Sequence, residues 1–234
     1  MSNDGFQERL AAVQARMQKA CERSGRRLDE VRLVAVSKTM GPEQVREAAE
    51  QGLALFGENK VQEAAAKIPE CPGRLSWHMI GHLQRNKAAL AVELFDMIHS
   101  VDSLRLLEAV DRASDEAGKI MPVLIEVNVS GERSKFGAPP EVAPELLAAA
   151  DRLHHVQILG LMTLAPFFED GERARPFFRR LSELRDQWRA ESGRPLEELS
   201  MGMTGDFDVA IEEGATYVRV GTALFGSRPK PVRQ

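Results

Sequence analysis

Apolar residues recur along this chain in two alternating rhythms. Over residues 4–24, Phe6, Leu10, Val13, Met17 and Cys21 are spaced by three and four, with Gln, Glu, Arg and Lys between them. That spacing predicts an amphipathic helix, ended by Gly25. The next run, Val31-Arg-Leu-Val-Ala-Val-Ser37, is nearly continuous in apolar residues, as a strand buried on both faces requires. Pro42-Glu-Gln-Val-Arg-Glu-Ala-Ala49 then reads as a helix with proline in its first turn. Further strands are predicted at 53–57, 75–81, 97–101, 122–129, 156–164, 198–201 and 217–225. Helical segments lie between them, for example 103–117, 140–151, 172–191 and 206–213. The first four strands begin at 31, 53, 75 and 97, a constant spacing of 22 with no shared residue motif.

Alternating strand and helix implies a parallel sheet with right-handed crossovers. Eight such units predict an α/β fold, a single (β/α)8 TIM barrel over residues 1–234 with an extra N-terminal helix. The rival is an open doubly wound sheet. Its Gly-x-Gly-x-x-Gly turn is absent after the first strand, where Ser37-Lys-Thr-Met-Gly41 stands. After Phe225-Gly226 the tail carries two prolines, which deny it an eighth closing helix. The 4–24 helix is then the candidate to cover the gap between the last and first strands.

Composition narrows the function classes. Apolar residues are 43% and charged residues 28% of 234, and the net charge is −4. These values describe a globular chain with no general attraction to nucleic acid or anionic membrane. The longest near-apolar run, Ile158–Phe168, is too short to span a bilayer. No basic and apolar leader opens the sequence, and two cysteines make neither a framework nor a metal spacing, so a cytoplasmic setting is expected.

Chemistry is sought where the strands end, since barrel sites lie there. Alternation puts Val34, Val36 and Lys38 on one face of the first strand. If that face is inward, Lys38 caps the column at the mouth, partly desolvated and able to form a Schiff base. A lysine reaching out to solvent is the alternative. Strands 7 and 8 offer Gly202 and Gly221 for close backbone approach, hydroxyls on Ser200, Thr204 and Thr222, and a helix start near Asp206. That combination suits a phosphate, or simply strand-end glycines with Thr204 as an N-cap. Tyr217, Arg219 and Gly221 share a face; an inward Arg219 needs a ligand or an acid such as Glu126, and an outward one a surface partner. Asn59 reads as the N-cap of the second crossover helix, or as a polar side chain turned to a ligand. His78 and His82 are four apart, but on a strand that spacing does not build a metal site. His154 and His155 read as caps at a helix C-terminus.

These residues fall within stretches that resemble the pyridoxal phosphate homeostasis protein family, also called the proline synthetase co-transcribed homologues. The stretches are Ala35-Val-Ser-Lys-Thr39, Phe56-Gly-Glu-Asn59 with Val61-Gln-Glu63, and Trp77-His-Met-Ile-Gly-His-Leu-Gln84. Further along come Val127-Asn-Val-Ser-Gly131 with Ser134-Lys135, Gly160-Leu-Met-Thr163, Leu199-Ser-Met-Gly-Met203 and Val218-Arg-Val-Gly-Thr-Ala-Leu-Phe-Gly226. The resemblance implies a barrel like the alanine racemase N-terminal domain (fold type III of pyridoxal phosphate proteins), with pyridoxal 5′-phosphate (PLP) held by Lys38 as an aldimine. It implies that Ser200, Gly202, Gly221 and Thr222 hold the phosphate, that Arg219 faces the pyridine nitrogen, and that Asn59 and His82 belong to the cofactor site. The family's usual Tyr is Lys60 here, and its usual Ser before Asn86 is Arg85.

The expected role is a PLP carrier in intracellular PLP homeostasis, a monomer without significant turnover, with PLP-dependent apoenzymes as candidate recipients. The alternatives are an amino-acid racemase and an unrelated barrel enzyme on a phosphorylated metabolite. Racemisation needs an acid/base on each face. Related racemases take the second, a tyrosine, from a C-terminal domain expected to be missing here. The only tyrosine, Tyr217, is expected at the far end of the barrel, which leaves His82.

Overall fold

The computed structural model describes residues 3–132 and 135–226. Ser134 and the proline-bearing tail after Gly226 lie outside the described residues. The chain opens with α1 (Asn3–Ser24), β1 (Arg32–Val36), α2 (Pro42–Glu50), β2 (Leu55–Glu58) and α3 (Val61–Lys67). There follow β3 (Ser76–Met79), α4 (Ala88–Leu94), β4 (Met97–Val101), α5 (Leu104–Glu116), β5 (Met121–Glu126) and α6 (Ala143–Ala149). The last part is β6 (Val156–Met162), α7 (Arg175–Ser192), β7 (Glu198–Met203), α8 (Phe207–Glu212), β8 (Tyr217–Val220) and α9 (Thr222–Phe225). All eight strands pair in sequence order, and β8 returns to β1, closing a parallel barrel.

Two apolar layers result. Val34, Val36, Ile80, Met97, Leu124, Met162 and Tyr217 pack inside the barrel. The larger layer joins the outer strand faces to the helices. Gly57 belongs to the inner layer: a Cβ there would lie 2.8 Å from side-chain carbons of both Val34 and Ile80. The alternation on β1, with Val34 and Val36 inward, is therefore real, and Lys38 is the next residue of that column.

Most strand ends shift by one or two residues from the sequence expectation, and three of the differences shape the site. The last strand stops at Val220, because the chain turns at Gly221 into the four-residue α9. The seventh runs on to Met203 through an irregularity in its pairing with β8. Gly202 makes that bend, with φ +88°, and a Cβ on it would stand 2.5 Å from that of Ala210. The fifth ends at Glu126, after which Asn128 and Ala138 bond across the base of a loop.

α1 lies against α8 and α9, burying Phe6, Leu10, Val13, Met17, Ala20 and Cys21. Phe6 meets Phe225 at 5.6 Å between ring centres, and Arg9 Nε donates to Leu224 O at 2.6 Å. Arg16 and Arg23 pair with Asp208 and Glu212 on α8.

Candidate functional site

The C-terminal mouth of the barrel collects most of the expected residues. Lys38 is half-buried just beyond β1, and Asn59 is half-buried just beyond β2. Asn59 is not a helix cap. Lys60 takes that position without a side-chain bond, because β2 runs to Glu58 and Asn59 continues the inward column after Gly57. His82 follows Ile80 on the β3 side, stacks on Phe136 at 3.8 Å, and has Nδ1 3.6 Å from Asp102 Oδ2.

Arg219 points inward. Its guanidinium is buried and donates to Ser200 Oγ at 2.5 Å and to Thr163 O at 2.9 Å. Both acceptors are neutral, and among the described residues Arg219 makes no ion pair. Burial lowers its pKa to about 10, against the opposing pull of Glu126 and Asp206. Ser200 therefore sits beneath Arg219, fully buried, and also bonds His99 Nδ1 at 2.9 Å. His99 Nε2 in turn meets His78 Nδ1 at 2.9 Å. Burial pushes His78 down to about 4 and holds His99 well below its ordinary value, so both environments favour the neutral ring. They form a buried floor of imidazoles under one cation. Tyr217 closes the bottom, buried, with the Arg32 guanidinium 3.9 Å from its ring centre.

Beside Arg219, the ends of β7 and β8 approach each other. Thr204 Oγ1 accepts from Ala223 N at 3.4 Å, so Thr204 joins the two turns rather than capping α8. Asp206 holds the cap position, with its Oδ1 turned back to Met203 N at 2.6 Å. Gly202 and Gly221 lie beneath these turns, and Thr222 is exposed at the rim. His154 and His155 follow α6, but His155 is held by α5: its N–H donates to Asp111 and its Nε2 lies 3.3 Å from Asp115.

Sequence reasoning missed His99, although Met97-Ile-His99 on one strand puts it on the same inward face as Met97. Glu58 ends β2, next to the mouth residue Asn59. Glu58 faces outward, where Lys67 Nζ lies 2.7 Å from its Oε1 beneath α3.

The comparisons with known proteins place the chain in a family and confirm the fold. The family model of the alanine racemase N-terminal domain matches residues 9–229. A pyridoxal phosphate homeostasis protein of Aquifex aeolicus is 46% identical over 222 residues, covering 94% of this chain and 97% of that protein. The chain belongs to that family. Its counterpart in Pseudomonas aeruginosa is 41% identical, over 94% of this chain and 95% of its own. Among solved structures, PipY of Synechococcus elongatus with PLP bound is 38% identical, with a TM-score of 0.84 over 94% of this chain and 100% of PipY. An alanine racemase of Clostridium difficile, 13% identical with a TM-score of 0.76 over 97% of this chain and 58% of its own, shares the fold. The two departures from the family pattern, Lys60 and Arg85, are both exposed.

Glu126 ends β5 inside the mouth, and burial raises its pKa to about 7, with Asp102 adding and Arg219 opposing. An unfolded glutamate titrates near ~4.3. Between those values the folded protein keeps a proton that the unfolded chain gives up, so stability falls as pH rises from about 4.3 to 7 and levels off above. Glu126→Gln keeps a neutral group of the same shape. Urea unfolding of the cofactor-free protein is expected to show the variant more stable at pH 8, by on the order of 3 kcal/mol, and unchanged at pH 4. Equal shifts at both pH values would refute the buried acid.

Proposed function

We propose that this protein holds PLP through a Schiff base on Lys38 and acts in PLP homeostasis by storing and delivering it, with PLP-dependent apoenzymes as recipients. The observation that carries the reading is one buried, neutrally solvated guanidinium, Arg219, beneath the mouth that Lys38 caps. The donor set fits the three polar ends of PLP. When bound, PLP supplies an aldehyde carbon to which an amine nitrogen bonds with loss of water. Lys38 provides the amine, the nucleophile of that bond. The backbone N–H groups around Gly202, Gly221 and Thr222, with the Thr204 and Thr222 hydroxyls, face the phosphate. Ser200 acts one layer below, by fixing Arg219. Arg219 would donate to the pyridine nitrogen and keep it unprotonated, which weakens the ring as an electron sink. Asn59 and His82 would line the sides of the site. The carrier works as a monomer.

Borohydride reduction of the PLP-loaded protein, followed by peptide mapping, is expected to fix a pyridoxyl group on Lys38. Lys38→Ala should lose the visible absorbance yet stay folded, since a residue at the mouth adds little to the core. A label on Lys60, Lys87 or Lys135 with Lys38 unmodified would overturn the assignment.

A further inference from the structure

The Val61-Gln-Glu63 stretch matched the family but has no place in the cofactor site described above. The structure puts it behind Lys38. The two peptide groups that flank the Lys38 Cα are both held by side chains of α3. The carbonyl oxygen of Ser37, in the preceding peptide, accepts from Lys67 Nζ at 2.8 Å. The N–H of Thr39, in the following peptide, donates to Glu63 Oε1 at 2.5 Å. Lys67 Nζ also stands 3.6 Å from that Glu63 oxygen. Ser37 Oγ donates to Glu58 Oε1 at 2.6 Å, and Lys67 donates to the same atom at 2.7 Å. Two side chains of α3 thus hold the backbone on either side of one lysine, and Ser37 and Glu58 brace Lys67 from behind.

This cluster is poorly suited to stabilising the fold. Glu58 is fully buried and Lys67 nearly so. Glu58 Oε2 is buried with no hydrogen-bond partner. Burial raises the Glu58 carboxyl above its ordinary range, although Lys67 and Ser37 pull it down. A buried ion pair that leaves an oxygen unpaired does no better than a hydrophobic pair of similar volume. What it does supply is direction. Thr39 has φ +67°, a left-handed conformation that a β-branched residue adopts at a cost, and the Glu63 bond holds it there.

We propose that Glu63 and Lys67 are positioning residues for Lys38: by clamping the peptides on either side of it, they set the direction in which its side chain leaves the end of β1 and enters the mouth. The proposal rests on the reading of Lys38 as the PLP lysine. With the clamp released, the Lys38 amine approaches the aldehyde carbon from a spread of directions. A misplacement of about 1 Å at a reacting group costs as much as 100-fold in rate.

Glu63 is the residue to change, because it is only partly buried and its loss does not strand a charge in the core. Glu63→Ala removes the acceptor, and Glu63→Gln restores an acceptor oxygen without the charge. Two readouts are taken. The first is hydrogen exchange of the Thr39 amide in the cofactor-free protein. The second is the rate of Schiff-base formation with added PLP, and the pH midpoint of its absorbance. Glu63→Ala is expected to speed Thr39 exchange at least ~10-fold, to slow Schiff-base formation by roughly 10–100-fold, and to move the pH midpoint. Glu63→Gln should return all three toward wild type. The double variant Glu58→Gln/Lys67→Met, which removes both buried charges together, should fold and show the same slow uptake. Wild-type exchange and uptake in Glu63→Ala would overturn the proposal, as would a failure of Glu63→Gln to restore them. If exchange responds as expected but borohydride labels no Lys38 in the wild-type protein, the Lys38 reading falls and the clamp on the backbone stands.

Discussion

Deleting residues 1–24 is expected to yield a chain that does not fold stably, although every strand of the barrel is retained. α1 buries Phe6, Leu10, Val13 and Met17 against α8, α9 and the outer core. Each such side chain contributes about 1.5–3 kcal/mol on leaving water, and part of that sum is returned as the ordering entropy of the helix. The surface α1 covers does not vanish with it. Phe207 and Phe225 become exposed, and Asp208 and Glu212 lose Arg16 and Arg23. Arg26, just past the helix, would still bond Ile211 O and Ala215 O, but from an untethered end. A loss on this scale is comparable with the roughly 5–15 kcal/mol net stability of a whole domain. The check is soluble yield and the urea midpoint of a chain starting at Gly25. Val13→Asp, which sets one carboxylate in the same seam, should lower the midpoint without any deletion. A truncated chain that unfolds like the full one would show α1 to be dispensable.

The barrel was legible because its strands announce themselves as short apolar runs between amphipathic helices. The run from Val34 to Val36 is buried on both faces, and all eight runs became strands. Side-chain parity was legible as well. It put Lys38 on the face of Val34 and Val36 and Arg219 on the face of Tyr217, but left open which face is inward; the inner layer and the buried guanidinium decide that. What parity cannot supply is register between strands. His99 and Ser200 are 101 residues apart and meet only because β4 and β7 face each other across the barrel. Ser200 read as a phosphate ligand for the same reason: its hydroxyl suits the task, and only depth shows that Arg219 lies over it. The Glu58–Lys67 pair was hidden differently. Glu58 ends its strand like a mouth residue, and only the outward parity of Phe56 and Glu58 reveals that it faces α3. Strand ends were misjudged where glycine turns the chain: the last expected strand ran past Gly221 along the apolar Ala223–Phe225, and the seventh was stopped short of Gly202 and Met203.

Cofactor-loaded protein incubated with L-alanine in deuterated water is expected to give racemisation orders of magnitude below the enzyme median of about 10 s⁻¹. On the proposed Lys38 linkage, an amino acid that displaced Lys38 from the cofactor would leave the Lys38 amine as the base for one face. Return of a proton to the other face requires a second positioned group, and each such group contributes typically 10²–10⁴-fold. Tyr217 cannot serve. It lies at the bottom of the barrel, under the Arg32 guanidinium, and burial raises its pKa to about 12. Cys21 is buried beneath α1, and Cys71 follows α3 on the outside of the sheet. Among the described residues at the mouth, His82 is the remaining imidazole. Its ring is stacked against Phe136, and its Nδ1 is directed to Asp102 at 3.6 Å. An Asp–His pair can pass a proton, so His82→Ala is the decisive control. In the proposed arrangement Arg219 would lower the rate further, because a ring nitrogen that accepts from a guanidinium does not stabilise charge at Cα as a protonated one does. Slow deuterium exchange at Cα that keeps the L configuration fits Lys38 acting alone. D-alanine formed at several turnovers per second and abolished in His82→Ala would make the protein a racemase with His82 on the second face, and the carrier reading would fall.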